Sequence, residues 1–264
     1  MRKTTLFFAV AMICTMTACS GTSTQSQMTF DSISVDKKVA LAADTNSPAY
    51  DMKVNVKYVK EASEEVINSV NNAITAKIFN FHNTDIQTAV DSFVNERIDN
   101  YTTEIAKLYK ADNRDIDKKA IYEYATDIKT RIEDGREGVI NYFIETYTFE
   151  GGAHPLSQML VLNFDKETGK TLTLEDIMVP GYKMKLNEIL QDALMKKAAC
   201  KDINELHEKG YLFSMEMYPS SNFILGKDAI IFVYNPYEIA PYALGRIDLT
   251  IDYETLKPLM KSDK

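Results

Sequence analysis

TYTFEGGAHPLSQMLVLNFDKETGKTLTLED, residues 146–176, decides how this chain folds. A run rich in β-branched and aromatic residues ends at Glu150, and a second apolar run occupies residues 158–164. Gly-Gly-Ala-His-Pro lies between them, and Asp165-Lys166-Glu167-Thr168-Gly169-Lys170 closes the second. Both connectors are turn chemistry, because glycine supplies positive φ and proline fixes its own. Working upstream, VINYFIETYTF is strongly β-prone and follows Asp-Gly-Arg-Glu-Gly at 134–138. IYEYATDIKTRIED before it reads two ways. Helical period groups Ile121, Ala125, Ile128 and Ile132, whereas alternation groups Tyr122, Tyr124, Thr126, Ile128, Thr130 and Ile132. The turn that follows favours a strand. Three strands joined by two tight turns make an antiparallel meander.

The flanks add helices and more strands. MTFDSISV predicts a first strand, and DMKVNVKY alternates Val54, Val56 and Tyr58 against Lys53, Asn55 and Lys57. Ser63 is placed to cap a helix with a Val66, Val70, Ile74 and Ile78 stripe, and Glu64 and Glu65 occupy its first turn. Thr84-x-x-Gln87 has capping-box spacing ahead of Ile86, Val90, Phe93, Tyr101, Ile105 and Leu108 at helical intervals. Downstream, a helix is expected over 183–199 with Leu186, Ile189, Leu190, Ala193 and Leu194 inward, and a shorter one over 203–209. A hairpin is expected around Gly226-Lys227-Asp228, then a strand burying Ile247, Leu249 and Ile251 and a short terminal helix. The expected class is α+β: an antiparallel β-meander sheet with helices packed on one face, in two intimately associated halves.

The first residues speak to compartment. Arg2 and Lys3 precede the apolar run 6–16, which is too short to span a bilayer comfortably and has the layout of a secretory signal. Thr17-Ala18-Cys19 then resembles a bacterial lipobox, with Met16 where such boxes usually place Leu. Residues 1–18 are expected to be a lipoprotein signal peptide. Cys19 would be the lipidated (palmitate-bearing) residue, and the Ser/Thr/Gln run to residue 27 a flexible tether. Ser20 after the cysteine points to an outer membrane where one exists; the expected place is the cell envelope, periplasmic or surface-exposed. Cys200 is then the one cysteine of the mature domain, so no intrachain disulfide is expected. Without Arg2 and Lys3, 28 basic side chains face 38 acidic ones, a formal −10. That balance disfavours nucleic acid and suits cationic partners, and it serves solubility equally well.

Three separated motifs carry a resemblance: Gly-Gly-Ala-His at 151–154, Asn-Phe-Asp-Lys-Glu-Thr-Gly-Lys at 163–170, and Asn-Pro-Tyr-Glu-Ile-Ala-Pro-Tyr at 235–242. In that order they resemble the extracytoplasmic domain of RsiV-type anti-sigma factors, a domain also found beside PdaC-type peptidoglycan deacetylases. The resemblance divides the chain into a PdaC-like N-terminal module (28–133) and an RsiV C-terminal-like module (134–264). It implies a domain that binds lysozyme. Signalling and deacetylation are not expected to carry over, since the sigma-binding segment and the deacetylase domain have no counterpart in the sequence.

Candidate ligand-binding residues follow from the same motifs: Glu150, Gly151, Gly152, His154, Tyr237, Glu238 and Tyr242. His154, held extended by Pro155, reads as a turn residue, a binding contact or a general base oriented by Glu150. A base needs a nucleophile, and none is recognisable; a metal ligand needs partners, and His82 and His207 lie in unrelated contexts. No catalytic residue, metal or cofactor is therefore assigned. Tyr237 and Tyr242 offer flat faces with polar tips to sugars or proteins, or else pin their loop onto the core. The expected function is binding without turnover, of a lysozyme-like cationic muramidase as sensor, decoy or inhibitor. The alternatives are a peptidoglycan or polysaccharide module and an uncharacterised cell-wall hydrolase.

Overall fold

The computed structural model describes residues 28–43, 46–213 and 215–262. The expected signal peptide (1–18), the lipidation site Cys19 and the expected tether lie outside the described residues. Five strands, β1 (Thr29–Ala40), β2 (Ala49–Glu61), β3 (Tyr124–Asp134), β4 (Val139–Glu150) and β5 (Leu156–Asp165), form one sheet in that spatial order. A second sheet orders β6 (Phe223–Leu225), β7 (Ala229–Tyr234) and β8 (Ile247–Asp252). The α+β class and the β3-β4-β5 meander are as expected. The sheet is mixed, because one neighbouring pair, β2 and β3, runs parallel. A parallel pair needs a long crossover, and residues 62–123 supply it with α1 (Glu64–Phe79), α2 (Ile86–Asn100), a π-helical turn (Tyr101–Ile105), α3 (Ala106–Ala111) and α4 (Lys119–Tyr122). The boundary drawn at 133/134 falls in the β3–β4 hairpin, inside one continuous sheet.

Local chemistry explains these elements. Ser63 accepts the Val66 N–H, and Val66, Val70 and Ile74 are buried at the predicted helical spacing. At α2 the expected capping box does not form. Asp85 is the N-cap and accepts the Thr88 N–H, while the Thr84 hydroxyl donates to the His82 carbonyl. A carboxylate one residue further along competes better for the orphan N–H groups and adds charge at the positive helix end. One face of the large sheet packs on α1 and α2 through Val54, Val56, Ile128, Tyr142, Ile144, Leu162 and Phe164. The other face meets the small sheet through Phe143, Met159, Val161 and Val233.

The remaining helices are α5 (Leu174–Ile177), α6 (Tyr182–Lys197), α7 (Ile203–Glu208) and α8 (Tyr253–Leu256). Thr173 and Asp176 form a capping box at α5. Leu186, Leu190 and Leu194 of α6 are wholly buried in the core that includes β8, while Ile189 and Ala193 are only partly buried. The small sheet does not extend the large one by a backbone ladder. Buried asparagine amides do that work along the free edge of β5. Asn222 accepts from the Val161 N–H and donates to the Met159 carbonyl (2.8 and 2.7 Å). Asn235 accepts from the Met159 N–H (2.8 Å), and Asn163 exchanges bonds with Leu225 and Phe223 (3.0 and 2.9 Å). An unpaired strand edge is thereby covered, and the amides of Asn163, Asn222 and Asn235 are themselves satisfied.

Candidate functional site

The turn at 151–155 follows directly from β4. Gly151 has φ +74°, and a β-carbon on it would stand 1.8 Å from the Ile121 carbonyl oxygen. Only glycine fits there. A β-carbon on Gly152 would meet only the His154 carbonyl oxygen, at 4.0 Å, so that position is under no such constraint. The chain then presents His154, extended before Pro155, at the surface.

The second motif arrives from β7. Asn235 locks its start onto β5, and Ile239 and Ala240 are buried at 1% and 4% exposure. Leu212 donates to the Ile239 carbonyl at 2.7 Å. The loop is therefore pinned by its aliphatic residues and not by its tyrosines, which corrects one of the two readings offered by sequence. Tyr237, at φ +74°, turns outward and is 61% exposed.

The two motifs meet. The His154 ring stacks on Tyr242 with centroids 3.7 Å apart and planes inclined by 13°. His154 Nε2 lies 3.0 Å from the Tyr237 hydroxyl, and Nδ1 lies 3.2 Å from the Pro155 carbonyl. The tautomer protonated at Nδ1 satisfies both contacts: Nδ1 donates to Pro155, and Nε2 accepts from Tyr237. Tyr237 and Tyr242 sit 5.7 Å apart, so three rings form one exposed aromatic patch. Two candidates lie elsewhere. Glu150 pairs with Arg97 at 2.9 Å, so it does not orient the imidazole. Glu238 faces the other side of its loop, where its charge adds to burial in raising the hydroxyls of Tyr218 and Tyr234.

Beside the patch runs a groove of about 560 Å³. Its floor is the uncovered end of the outer face of β3, β4 and β5, with Asp127, Glu145, Tyr147 and Ser157. Its wall is Pro236 and the segment from Tyr242 to Arg246. None of the floor residues was singled out by sequence. The usable signal was the change along β4, where apolar residues to Ile144 give way to Glu145 and Tyr147 on the outer face. No group of three or more His, Cys, Asp or Glu that could hold a metal occurs among the described residues. No helix among them is long and apolar enough to cross a membrane.

Residues 175–254 match the model of the family DUF3298, a protein family of unknown function. The matched segment spans 80 of the 264 residues. It contains the 235–242 loop, whereas the 151–154 and 163–170 motifs precede it. The fold is similar to the crystal structure of a DUF3298 family member from Bacteroides fragilis. The TM-score is 0.82 at 28% identity, over 90% of this chain and 95% of that one. A DUF3298 family protein from Pseudomonas aeruginosa shares the fold at TM-score 0.54 and 16% identity, over 88% of this chain and 95% of that one. No curated protein matches the chain.

Proposed function

We propose that this chain is a lipid-anchored protein of the bacterial envelope that holds a ligand at the His154–Tyr242–Tyr237 patch without transforming it. The stacking of two motifs, 81 residues or more apart in sequence, into one exposed aromatic surface carries the reading. Exposed aromatic residues concentrate binding energy because a large rigid area is desolvated at small entropic cost. The ligand favoured by the RsiV resemblance and by the acidic balance is a cationic, lysozyme-like muramidase. Opposite charge speeds the encounter more than it deepens affinity. Capture of c-type lysozyme by the immobilised protein, measured at low and moderate salt, tests this. Retention that weakens with salt and drops at least tenfold in Tyr237→Ala is expected. No retention at either salt refutes it.

A cell-wall glycan is the second reading, favoured by flat ring faces bordering an open groove. Anchoring itself is tested by metabolic labelling with palmitate, expected on wild type and absent from Cys19→Ala.

A further inference from the structure

The groove's charges are already paired, within it or with a neighbour just outside it. Asp127 pairs with Lys129 at 2.6 Å, and Glu145 accepts from Arg131 Nε at 3.1 Å. The Arg246 guanidinium makes two parallel bonds to Asp248, both 3.0 Å. Of the residues lining the groove, Asp127 and Glu145 bring two negative charges, and Lys129 and Arg246 bring two positive ones. An ionic ligand gains little here, because binding it would break bidentate or close pairs that already exist. What the groove still offers is different. On this outer face Ser157 presents a hydroxyl and Glu145 keeps carboxylate lone pairs free, whereas Thr146 and Gln158, paired across β4 and β5, alternate to the face that packs on α1 and α2. Tyr147, 40% exposed on the floor, and Tyr242 in the wall supply aromatic faces.

A hydroxyl and charge-paired hydrogen-bonding groups beside two aromatic faces, with no net charge, match a chain of hydroxyl groups on a ring with one apolar side. We infer that this groove is a binding site for a neutral oligosaccharide, running along β4 from Tyr147 to the Tyr242 ring. The inference rests on the glycan reading above and sharpens it, since it excludes anionic polysaccharides and moves the key contacts from the loop to the sheet.

Titration of the full chain with chitotetraose, cellotetraose and tetragalacturonate, followed by a neutral-glycan array, tests it. At least one neutral oligosaccharide is expected to bind, with a dissociation constant changing less than about twofold between low and high salt. Tyr147→Ala, which removes one aromatic face, and Ser157→Trp, which fills the groove, should each weaken binding about tenfold or more while the melting curve stays in place. The inference is overturned if no neutral glycan binds, if only the anionic sugar binds and salt abolishes it, or if both variants bind as wild type. Lysozyme capture is a separate readout. Its loss in Tyr237→Ala, or its absence altogether, speaks to the proposed muramidase ligand and leaves the groove result standing.

Discussion

The two ends of β4 differ sharply. From Val139 to Ile144 every residue is buried, because α1 and α2 cover one face and the small sheet covers the other. From Glu145 to Glu150 none is fully buried, because the small sheet stops short. One strand thus serves as core over half its length and as open surface over the rest. The difference teaches that the site was made by leaving a sheet partly uncovered, not by adding an element to it. A surface built in this way inherits the rigidity of the ladder beneath it.

Phe143 and Tyr147 lie on the same face of β4 and give the strongest test of that contrast. Phe143→Ala empties a site at 1% exposure and should cost about 3–5 kcal/mol in urea unfolding. Tyr147→Ala should stay within about 0.5 kcal/mol. Equal losses at the two positions would end the comparison. Next in size is the seam that defines where cover stops. Asn163→Ala strands the Leu225 N–H and the Phe223 carbonyl and should cost about 2–3 kcal/mol. A smaller effect belongs to the turn at the open end. Gly151→Ala should lose about 2 kcal/mol against the Ile121 carbonyl, and Gly152→Ala close to nothing.

The smallest effect is electrostatic and sits at the covered end. The Lys170 hydrogen bond, reinforced by bonds from Thr173, lowers the Asp176 carboxyl from its ordinary 3.8 to about 2. A carboxyl more acidic in the native state contributes stability above its unfolded value. That stability disappears as pH falls from about 4 towards 2. With a quarter of this side chain exposed, solvent screening holds the contribution to about 1 kcal/mol. Asp176→Asn should flatten the stability profile over that window, as read by melting temperature against pH.

Much of this architecture was legible because it depends on short-range rules. Turn residues at 134–138, 151–155 and 165–170 announced the meander, and the α6 leucine stripe announced its buried side. The parallel β2–β3 pair was not legible, because alternation within a strand says nothing about its neighbour's direction. The Asn163 and Asn235 roles were hidden for a related reason. Both stand inside the recognised motifs, yet a polar residue beside a turn looks the same whether it meets water or a strand edge. The meeting of His154 with Tyr237 and Tyr242 rested on two motifs whose proximity sequence could only suggest. Asp127, Glu145 and Arg246 were passed over because single charges on alternating strands are usual on any solvent-facing sheet.

The asparagine seam along β5 has a bearing on how such a protein can diversify. A backbone ladder ties neighbours together at every step of about 3.3 Å, so an insertion on one side shifts everything beyond it. Side-chain amides clasp the partner sheet at scattered points and leave the intervening chain to wander. Loops springing from beside those clasps can vary at their unpinned positions, Gly152 and Tyr237 among them, while Gly151, Ile239 and Ala240 stay fixed and both sheets keep their seat. A chain carrying this seam can change the surface it presents without relearning how to fold.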